Sequence, residues 1–295
     1  MKTPLDLVGL SALMERSQGK PEIAVASVDG PVALDHPDLA AASIRELSGN
    51  RRGACSIAAS IACIHGTFVA GILCARRGSV APAICPGCTL FLRPIFAESS
   101  KGGGQMPSAT PEELADAIIE SVEAGARVIN LSSALVQSSR RGEVRLKEAL
   151  NHAAHRGVIV VAAAGNQGMV GSSTITSHWW VIPVAACDVQ GWPLSESNLG
   201  GSIGRWGLSA PGESVTSLGT DGRPRRFGGT SAAAPFVTGA IALLWSEFPD
   251  ATAAQVKLAV THAGMRRRQT IAPPVLNASA AYQAMASTHI GGNVS

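Results

Sequence analysis

Residues 158–166 read Val-Ile-Val-Val-Ala-Ala-Ala-Gly-Asn, an apolar run that ends in glycine and asparagine. Continuous runs of small and β-branched residues predict strands that are buried on both faces. Similar runs predict further strands at 22–28, 89–95, 128–131 and 180–185. Segments with helical spacing alternate with these strands, at 65–75, 111–124, 143–155, 231–245 and 251–261. This alternation predicts a three-layer α/β/α sandwich, in which a mostly parallel sheet carries helices on both faces.

The chain has 295 residues, of which 46% are hydrophobic and 15% are charged. This balance provides for a sizeable core and excludes a disordered or fibrous protein. A length rule of about 150 residues per domain suggests two domains. The reactive residues described below extend from 29 to 231 and must meet in one cleft. We therefore predict a single domain over 1–295, with an N-terminal helical arm at 1–20 and a C-terminal extension at 265–295.

Charge and hydropathy argue against nucleic-acid and membrane partners. The 24 Lys and Arg residues and the 21 Asp and Glu residues give a net charge of +3. The basic pairs are scattered along the chain and lack interleaved aromatic residues, which nucleic-acid binders use for stacking. No apolar run reaches the roughly 20 residues that span a bilayer. The N-terminus lacks the apolar core of a signal peptide, so we predict a cytoplasmic protein.

Six cysteines occur at positions 55, 63, 74, 85, 88 and 187. Without a secretion signal, reduced thiols are the first expectation. A local disulfide, 55–63 or 85–88, is the second interpretation, and a metal site is the third. Cys85 and Cys88 form a CxxC motif, but a zinc site needs a second pair of ligands and a redox motif needs a thioredoxin-like context.

Two polar residues occupy positions where catalytic groups gather. Asp29 follows the strand predicted at 22–28, and the carboxyl ends of parallel strands are where ligands bind in open sheets. Its ordinary interpretation is a turn residue before Gly30 and Pro31. His65 is predicted at the head of a helix, where the partial positive charge favours a neutral imidazole that can act as a base. Its ordinary interpretation is a capping or packing histidine.

Two further segments supply a nucleophile and an amide. Asn166 ends the 158–166 strand, either as a plain turn residue or as a side-chain amide aimed at a developing oxyanion. Ser231 follows a glycine-rich turn and opens an apolar helix, where its own N–H has no intrahelical partner. An isolated serine there is more often an N-cap. Together the four residues supply an acid, a base, an oxyanion donor and a nucleophile.

The motifs around these residues resemble those of the subtilisin-like serine peptidases, the subtilases. The matching stretches are HPDL at 36–39, HGTFVAG at 65–71, AAGN at 163–166 and GTSAAAP at 229–235. The chain order Asp, His, Ser is the one that subtilisin carries. This resemblance implies a subtilisin-like fold and a serine endopeptidase that works through an acyl-enzyme.

Three other features resemble the peptidases that mature cyanobactin-type ribosomal peptides. They are the DGPV stretch at 29–32, the cysteines before His65 and the RPIF stretch at 93–96. That subfamily includes enzymes that remove the precursor leader and macrocyclases with a helical insertion between the catalytic Asp and His. Here the separation is 65 minus 29, or 36 positions, which leaves little room for the insertion. The resemblance therefore implies leader removal from a precursor peptide.

The resemblance also assigns roles. Ser231 is the implied nucleophile, His65 the base and then the acid, and Asp29 the group that orients the imidazole. Asn166 and the Ser231 N–H are the implied oxyanion donors, and Thr230 is implied to orient them. The implied substrate-binding residues are Asn130, Leu131, Ser132, Ser133, Ala134, Gly165 and Thr230.

Several departures from the family pattern limit these inferences. Gly-Pro follows Asp29, Phe68 and Phe236 replace family histidines, and Ala232 replaces a methionine. Ala134-Leu135 stands where subtilases usually carry Gly-Gly, which implies a narrower pocket for the residue before the scissile bond.

No cofactor and no metal are predicted, because no carboxylate cage for calcium is visible. Only 28 residues precede Asp29, which implies an enzyme gated by substrate recognition rather than by a folded propeptide. Two alternatives remain: a macrocyclase or transamidase that uses the same acyl-enzyme, and a non-catalytic scaffold that binds peptides. The expected partner is a peptide, and the oligomeric state is not predicted.

Overall fold

The computed structural model describes residues 3–49, 51–99, 108–132, 140–262 and 270–291. The strands are β1 (Ala24–Val28), β2 (Ile44–Glu46), β3 (Thr89–Leu92), β4 (Val128–Leu131), β5 (Ile159–Ala163), β6 (Val181–Cys187), β7 (Leu208–Pro211), β8 (Val215–Ser217) and β9 (Arg225–Phe227). The first seven form one parallel sheet in the order β2-β3-β1-β4-β5-β6-β7. The last two form a separate antiparallel pair.

Helices cover both faces of the sheet. They are α1 (Pro4–Leu7), α2 (Leu10–Arg16), α3 (Ile61–Cys74), α4 (Pro111–Glu123), α5 (Arg140–His155), α6 (Gly201–Trp206), α7 (Thr230–Glu247), α8 (Ala253–His262) and α9 (Ala278–Gly291). One face packs against α4 and α5, whose leucines and isoleucines belong to one apolar cluster. The other face packs against α3 and α7, which share a second cluster with α2 and α8. The predicted α/β/α sandwich is therefore confirmed.

Central strands and long helices match the prediction to within a few residues, whereas short elements were missed. Strand β7 carries Ser209 and Pro211, which break its apolar pattern. Helix α6 and strand β9 lie in stretches that the glycine content predicts as surface loops. Strand β7 forms by pairing with β6, and local sequence patterns do not reveal such pairing between separate segments.

The two ends of the chain are parts of the core. The N-terminal helical arm predicted at 1–20 is divided at Gly9, whose φ of +67° only glycine adopts readily. Leu10 and Leu13 are buried at 0% and 2% exposure. Helix α9 packs against α2 and α8, and the Ser279 hydroxyl donates to the Gly9 carbonyl at 2.9 Å. The expected arm and extension are therefore packed against the domain. No helix in the described part of the chain combines the length and hydropathy needed to cross a bilayer.

Lys257 on α8 lies against two tryptophans. Its ammonium is 5.0 Å from the Trp180 ring centre and 5.9 Å from that of Trp179, and it donates to the Trp179 carbonyl at 2.8 Å. This burial lowers the pKa of the ammonium from 10.5 to about 8. At this one group, the folded state therefore binds fewer protons than the unfolded chain between pH 8 and 10.5.

Lys257→Met tests this proton balance. Because the folded state loses the proton first, the Lys257 contribution to the free energy of unfolding rises with pH from about 8 to 10.5. At about 1.4 kcal/mol per pKa unit, the gain is at most about 3 kcal/mol. Urea titrations of both proteins at several pH values measure it. We expect the wild type to gain stability relative to Lys257→Met over this window, and parallel curves would contradict the assignment.

Candidate active site

Asp29 lies at the carboxyl end of the central strand β1 and is fully buried. The Gly30 N–H donates to its Oδ1 at 2.6 Å, and the Ile95 N–H donates to its main-chain carbonyl at 2.8 Å. The second carboxylate oxygen, Oδ2, is buried without a hydrogen-bond partner in the described structure. The RPIF stretch thus extends the pairing of β3 with β1 as far as Asp29.

His65 faces Asp29 from α3. The helix begins at Ile61, so His65 is its fifth residue, and the prediction that it stands at the head of the helix is wrong. Gly30 and Gly66 let the helix approach the strand end, because a Cβ at Gly30 would collide with the Ala62 carbonyl. This close approach places His65 Nδ1 2.7 Å from Asp29 Oδ1, with the imidazole only 4% exposed.

Ser231 reaches the other side of the imidazole from the first turn of α7. Gly229 precedes the helix with a φ of +91°, and a Cβ there would lie 2.7 Å from the Asn166 side-chain oxygen. The turn places Ser231 Oγ 3.0 Å from His65 Nε2. The Ser231 N–H has no hydrogen-bond partner in the described structure. The three predicted reactive side chains are therefore in one hydrogen-bonded line.

Thr230 orients the amide of Asn166. Its N–H and its hydroxyl both donate to Asn166 Oδ1, at 2.8 and 3.1 Å, and the same hydroxyl accepts from the Gly165 N–H at 3.1 Å. Because Oδ1 accepts these two bonds, the NH₂ is the group of this amide that can donate to a substrate. Thr230 itself is fully buried, and its contacts are those of a residue that positions the amide.

Asn198 is a functional residue that the sequence analysis missed. Its Oδ1 accepts from the N–H groups of Gln167 and Met169, at 3.1 and 3.0 Å. Its NH₂ donates to the Ala164 carbonyl at 3.1 Å. The side chain therefore holds the loop that carries Asn166. The asparagine and glycine residues around Asn198 predict only a loop. Its contacts join segments about thirty residues apart, which a local sequence pattern does not show.

The first three residues of the predicted substrate wall have buried side chains. Asn130 is fully buried, donates to the Ser132 hydroxyl at 2.8 Å and accepts from the Thr238 hydroxyl of α7 at 2.8 Å. Leu131 is also fully buried, and Ser132 is 5% exposed. The Asn130 side chain therefore ties β4 to α7. Ser133 and Ala134 lie outside the described residues.

An open cavity of about 420 Å³ adjoins the catalytic line. Phe227 of β9 lines it, and the Phe227 ring centre lies 6.1 Å from that of His65 and 5.0 Å from that of Phe68. Glu196, Glu213 and Arg226 also line it, so its walls are charged.

The cysteines differ in state. Cys55 and Cys63 form a disulfide, which corrects the expectation of reduced thiols for this pair, whereas Cys74, Cys85, Cys88 and Cys187 are free and buried. Burial raises the pKa of the Cys74 and Cys187 thiols to about 12, so both are unreactive. The thiol of Cys85 donates to Cys88, which raises the pKa of Cys85 and lowers that of Cys88.

One cluster in the described structure brings three metal-ligand atoms within 4.8 Å of one another, on Cys55, Cys63 and Glu98. The two sulfurs are joined to each other, and the Glu98 carboxylate accepts from the N–H groups of Ser56 and Ile57 at 2.9 and 2.7 Å. The cluster is thus a cross-link that fastens the 55–63 loop two residues from His65.

Comparisons with known proteins identify the family. The subtilase model of peptidase family S8 matches residues 20–282, so the chain belongs to the subtilases. A thermostable alkaline protease of Halalkalibacterium halodurans is 32% identical over 194 residues, which are 65% of this chain and 50% of that protein. The chain spans about half the length of the curated relatives it matches.

Solved structures with the same fold include maturation enzymes. The protease domain of PatA is 29% identical with a TM-score of 0.81, over 94% of this chain and 98% of that one. The prenylagaramide maturation protease PagA is 28% identical with a TM-score of 0.81 and the same coverage. The PatG macrocyclase domain, at 21% identity and a TM-score of 0.80 over 94% of this chain and 95% of that one, shares the fold.

The corrected role of Asn130 gives a stability prediction. We expect Asn130→Ala and Thr238→Val each to lower the free energy of unfolding by about 1–3 kcal/mol, because each leaves a buried polar partner unsatisfied. The double variant should cost less than the sum of the two. Urea denaturation of the four proteins measures this coupling, and strict additivity would show that the two side chains do not act as a pair.

Proposed function

We propose that this chain is a serine endopeptidase that processes a precursor peptide by removing its leader. The observation that carries the peptidase assignment is the line formed by Asp29, His65 and Ser231, with contacts of 2.7 and 3.0 Å. Subtilase membership and the similarity to PatA and PagA support it.

The reaction follows from the contacts of His65. As Ser231 Oγ attacks the scissile carbonyl carbon, His65 Nε2 accepts its proton, and the carbonyl electron pair moves onto the oxygen. The imidazolium then donates that proton to the departing amine, which leaves an acyl group on Ser231. A water molecule repeats the sequence, releases the new carboxylic acid and restores the serine.

Asp29 and the two N–H donors act on the charges that form. Asp29 holds the imidazole with Nδ1–H facing the carboxylate, so that Nε2 is the basic atom toward Ser231, and it stabilises the imidazolium. The Asn166 NH₂ and the Ser231 N–H stabilise the oxyanion of the tetrahedral intermediate. Donors that are fixed in advance need no rearrangement when the charge appears.

Ser231→Ala tests the assignment of the nucleophile. We expect a fluorophosphonate probe to label the wild type and not Ser231→Ala, because the alanine has no hydroxyl to phosphonylate. Ser287→Ala, which alters an exposed serine of α9, is the control and should be labelled as the wild type is. A wild type that stays unlabelled would favour the peptide-binding scaffold.

Asn166→Ala tests the oxyanion donor. Loss of one such donor typically costs about 2.7–4 kcal/mol of transition-state stabilisation, or about 10²–10³ in kcat. We expect this fall in kcat with a nearly unchanged KM for a quenched fluorescent peptide. Thr230→Val should give a smaller fall, because it removes one of two hydrogen bonds that orient the amide. A change confined to KM would contradict the oxyanion role.

The charges that line the open cavity give a prediction about which peptide sequences the enzyme prefers. Because His65 protonates the departing amine, the segment after the scissile bond lies on the His65 side of Ser231, toward Phe227 and the cavity. Two glutamates, Glu196 and Glu213, and one arginine, Arg226, line the cavity, so the net charge of its lining is negative. Arg226 Nε also donates to the Thr216 hydroxyl at 3.2 Å. We expect peptides with lysine in this segment to have a higher kcat/KM than peptides with glutamate.

A charge substitution in the cavity measures this preference. Because exposed ion pairs contribute about 0.2–1 kcal/mol, Glu213→Gln should reduce the lysine-to-glutamate ratio of kcat/KM by about 1.5- to 5-fold. The control is Glu148→Gln on an exposed position of α5, which should leave the ratio unchanged. An equal preference for both peptides in the wild type would contradict the prediction.

The macrocyclase alternative is separated by its product. Both reactions share the acyl-enzyme, but cyclisation transfers the acyl group to an internal amine instead of water. Incubation in H₂¹⁸O followed by mass spectrometry decides between them. Leader removal gives a leader with one ¹⁸O in its new carboxyl group and a linear core peptide without ¹⁸O. Cyclisation gives a product without ¹⁸O that is lighter by one water than the linear peptide of the same sequence.

We propose a cytoplasmic location, which the four free buried thiols support. The Cys55–Cys63 disulfide argues the other way, because such bonds persist mainly in oxidising compartments. Alkylation of intact cells followed by mass spectrometry decides: free, alkylated Cys55 and Cys63 support the cytoplasm, and a fully oxidised pair contradicts it.

A further inference from the structure

A second cavity, of about 140 Å³, lies at the opposite end of the sheet from the catalytic line. Trp180 directly precedes β6, and Trp206 ends α6 just before β7, so both mark the amino ends of the strands. Asp29 and Asn166, in contrast, follow the carboxyl ends. Since β6 has seven residues and a strand rises about 3.3 Å per residue, the two ends are about 23 Å apart.

The cavity is cationic. Lys257 and Arg205 line it, and no lining residue of the described structure is acidic. Neither side chain has an acidic partner among the described residues. Lys257 uses one N–H on the Trp179 carbonyl, which leaves two for a ligand. His262 also lines the cavity.

The walls and the rim are apolar and aromatic. Trp180 and Trp206 line the cavity, and the Arg205 guanidinium lies 4.5 Å from the Trp206 ring centre. At the rim, Leu258 is 58% exposed and Trp179 is 53% exposed. Tryptophan and arginine are the residue types that dominate binding energy at protein interfaces.

The size of the cavity favours a polypeptide over a small molecule. Pockets for small ligands usually measure about 300–1,000 Å³, and this one is less than half of that minimum. It has room for one apolar side chain, while the cations at its edge face the flanking residues. Such a shape accepts a leucine or phenylalanine with acidic residues next to it.

We propose that this cavity is an exosite for an acidic, amphipathic segment of the peptide substrate. The proposal rests on the proposed function, because it places the segment on the same chain that is cleaved at Ser231. One apolar side chain enters between Trp180 and Trp206, and neighbouring carboxylates pair with Arg205 and Lys257. At about 3.3 Å per extended residue, at least seven residues must separate this segment from the scissile bond. The enzyme thereby recognises a long precursor and leaves the residues at the cut free to vary.

The first experiment measures binding alone. The probe is a fluorescein-labelled 15-residue peptide with alternating glutamate and leucine clusters, and a peptide with lysine in place of glutamate is its counterpart. We expect the acidic peptide to bind more tightly than the basic one in fluorescence anisotropy. The variant Arg205→Gln/Lys257→Met should weaken the acidic peptide at least tenfold. Equal binding of both peptides would overturn the proposal.

A charge-matched control excludes a general effect of net charge. Arg45 lies on β2, at the opposite edge of the sheet from β6 and β7, and is exposed. Arg45→Glu changes the net charge by two, as much as Arg205→Gln/Lys257→Met does, and should leave the binding of the acidic peptide unchanged. Equal weakening of acidic-peptide binding by both variants would overturn the proposal. A dimer in size-exclusion chromatography that dissociates in Leu258→Asp would also overturn it, because a second copy of the chain would then occupy the site.

The second experiment links the cavity to cleavage. One cleavable peptide carries the acidic segment ten residues before the scissile bond, and a second lacks it. We expect Arg205→Gln/Lys257→Met to raise KM for the long peptide to the value of the short one, without changing kcat. The short peptide also reports that the variant is folded. If neither peptide is cleaved, the proposed function fails, and the binding experiment still decides the exosite. If Arg205→Gln/Lys257→Met leaves the KM for the long peptide unchanged, the exosite proposal is overturned and the peptidase assignment stands.

Discussion

The position of the His65 imidazole between Asp29 and Ser231 is the constraint on which the rest of the site depends. The three residues come from a strand end, the second turn of one helix and the first turn of another. They meet because Gly30, Gly66 and Gly229 remove the side chains that would hold these elements apart. The excess of small residues in the sequence therefore serves close approach of backbones at one end of the sheet.

Around this line, buried polar side chains act mainly as supports. Thr230 and Asn198 hold the loop that presents Asn166, and the pair formed by Asn130 and Thr238 ties the sheet to the helix that carries Ser231. None of these three contacts lies within one element. Each joins a loop or strand to a segment about thirty or more residues away, so the geometry of the site is maintained by tertiary contacts.

The sequence predicted the fold class and the four reactive positions, because apolar strands and short motifs are local signals. It did not predict Asn130 as a structural residue, since only the packing of α7 shows that Thr238 is its partner. The sequence predicts the helix that carries His65 only from residue 65, whereas α3 begins at Ile61, so this histidine lies in the second turn and not at the head. Phe227 and Asn198 were missed because short strands and loops acquire their roles from distant neighbours.

In the proposed function, the two ends of the sheet have different roles. The carboxyl end carries the reacting groups and a charged cavity beside His65. The amino end carries a cationic and aromatic cavity about one strand length away. A substrate that spans both ends would be selected by its length and by a segment remote from the cut, while the chemistry itself stays that of the family.

Trapping of the acyl-enzyme tests the central claim most directly. The protein is mixed with p-nitrophenyl acetate, quenched in acid, and examined by intact and peptide-level mass spectrometry. The alignment of Ser231 with His65 predicts one acetyl group per chain, on Ser231, and none in His65→Ala because the hydroxyl then has no base. An unmodified wild type, or an acetyl group on Ser231 that forms equally fast in His65→Ala, would contradict the account.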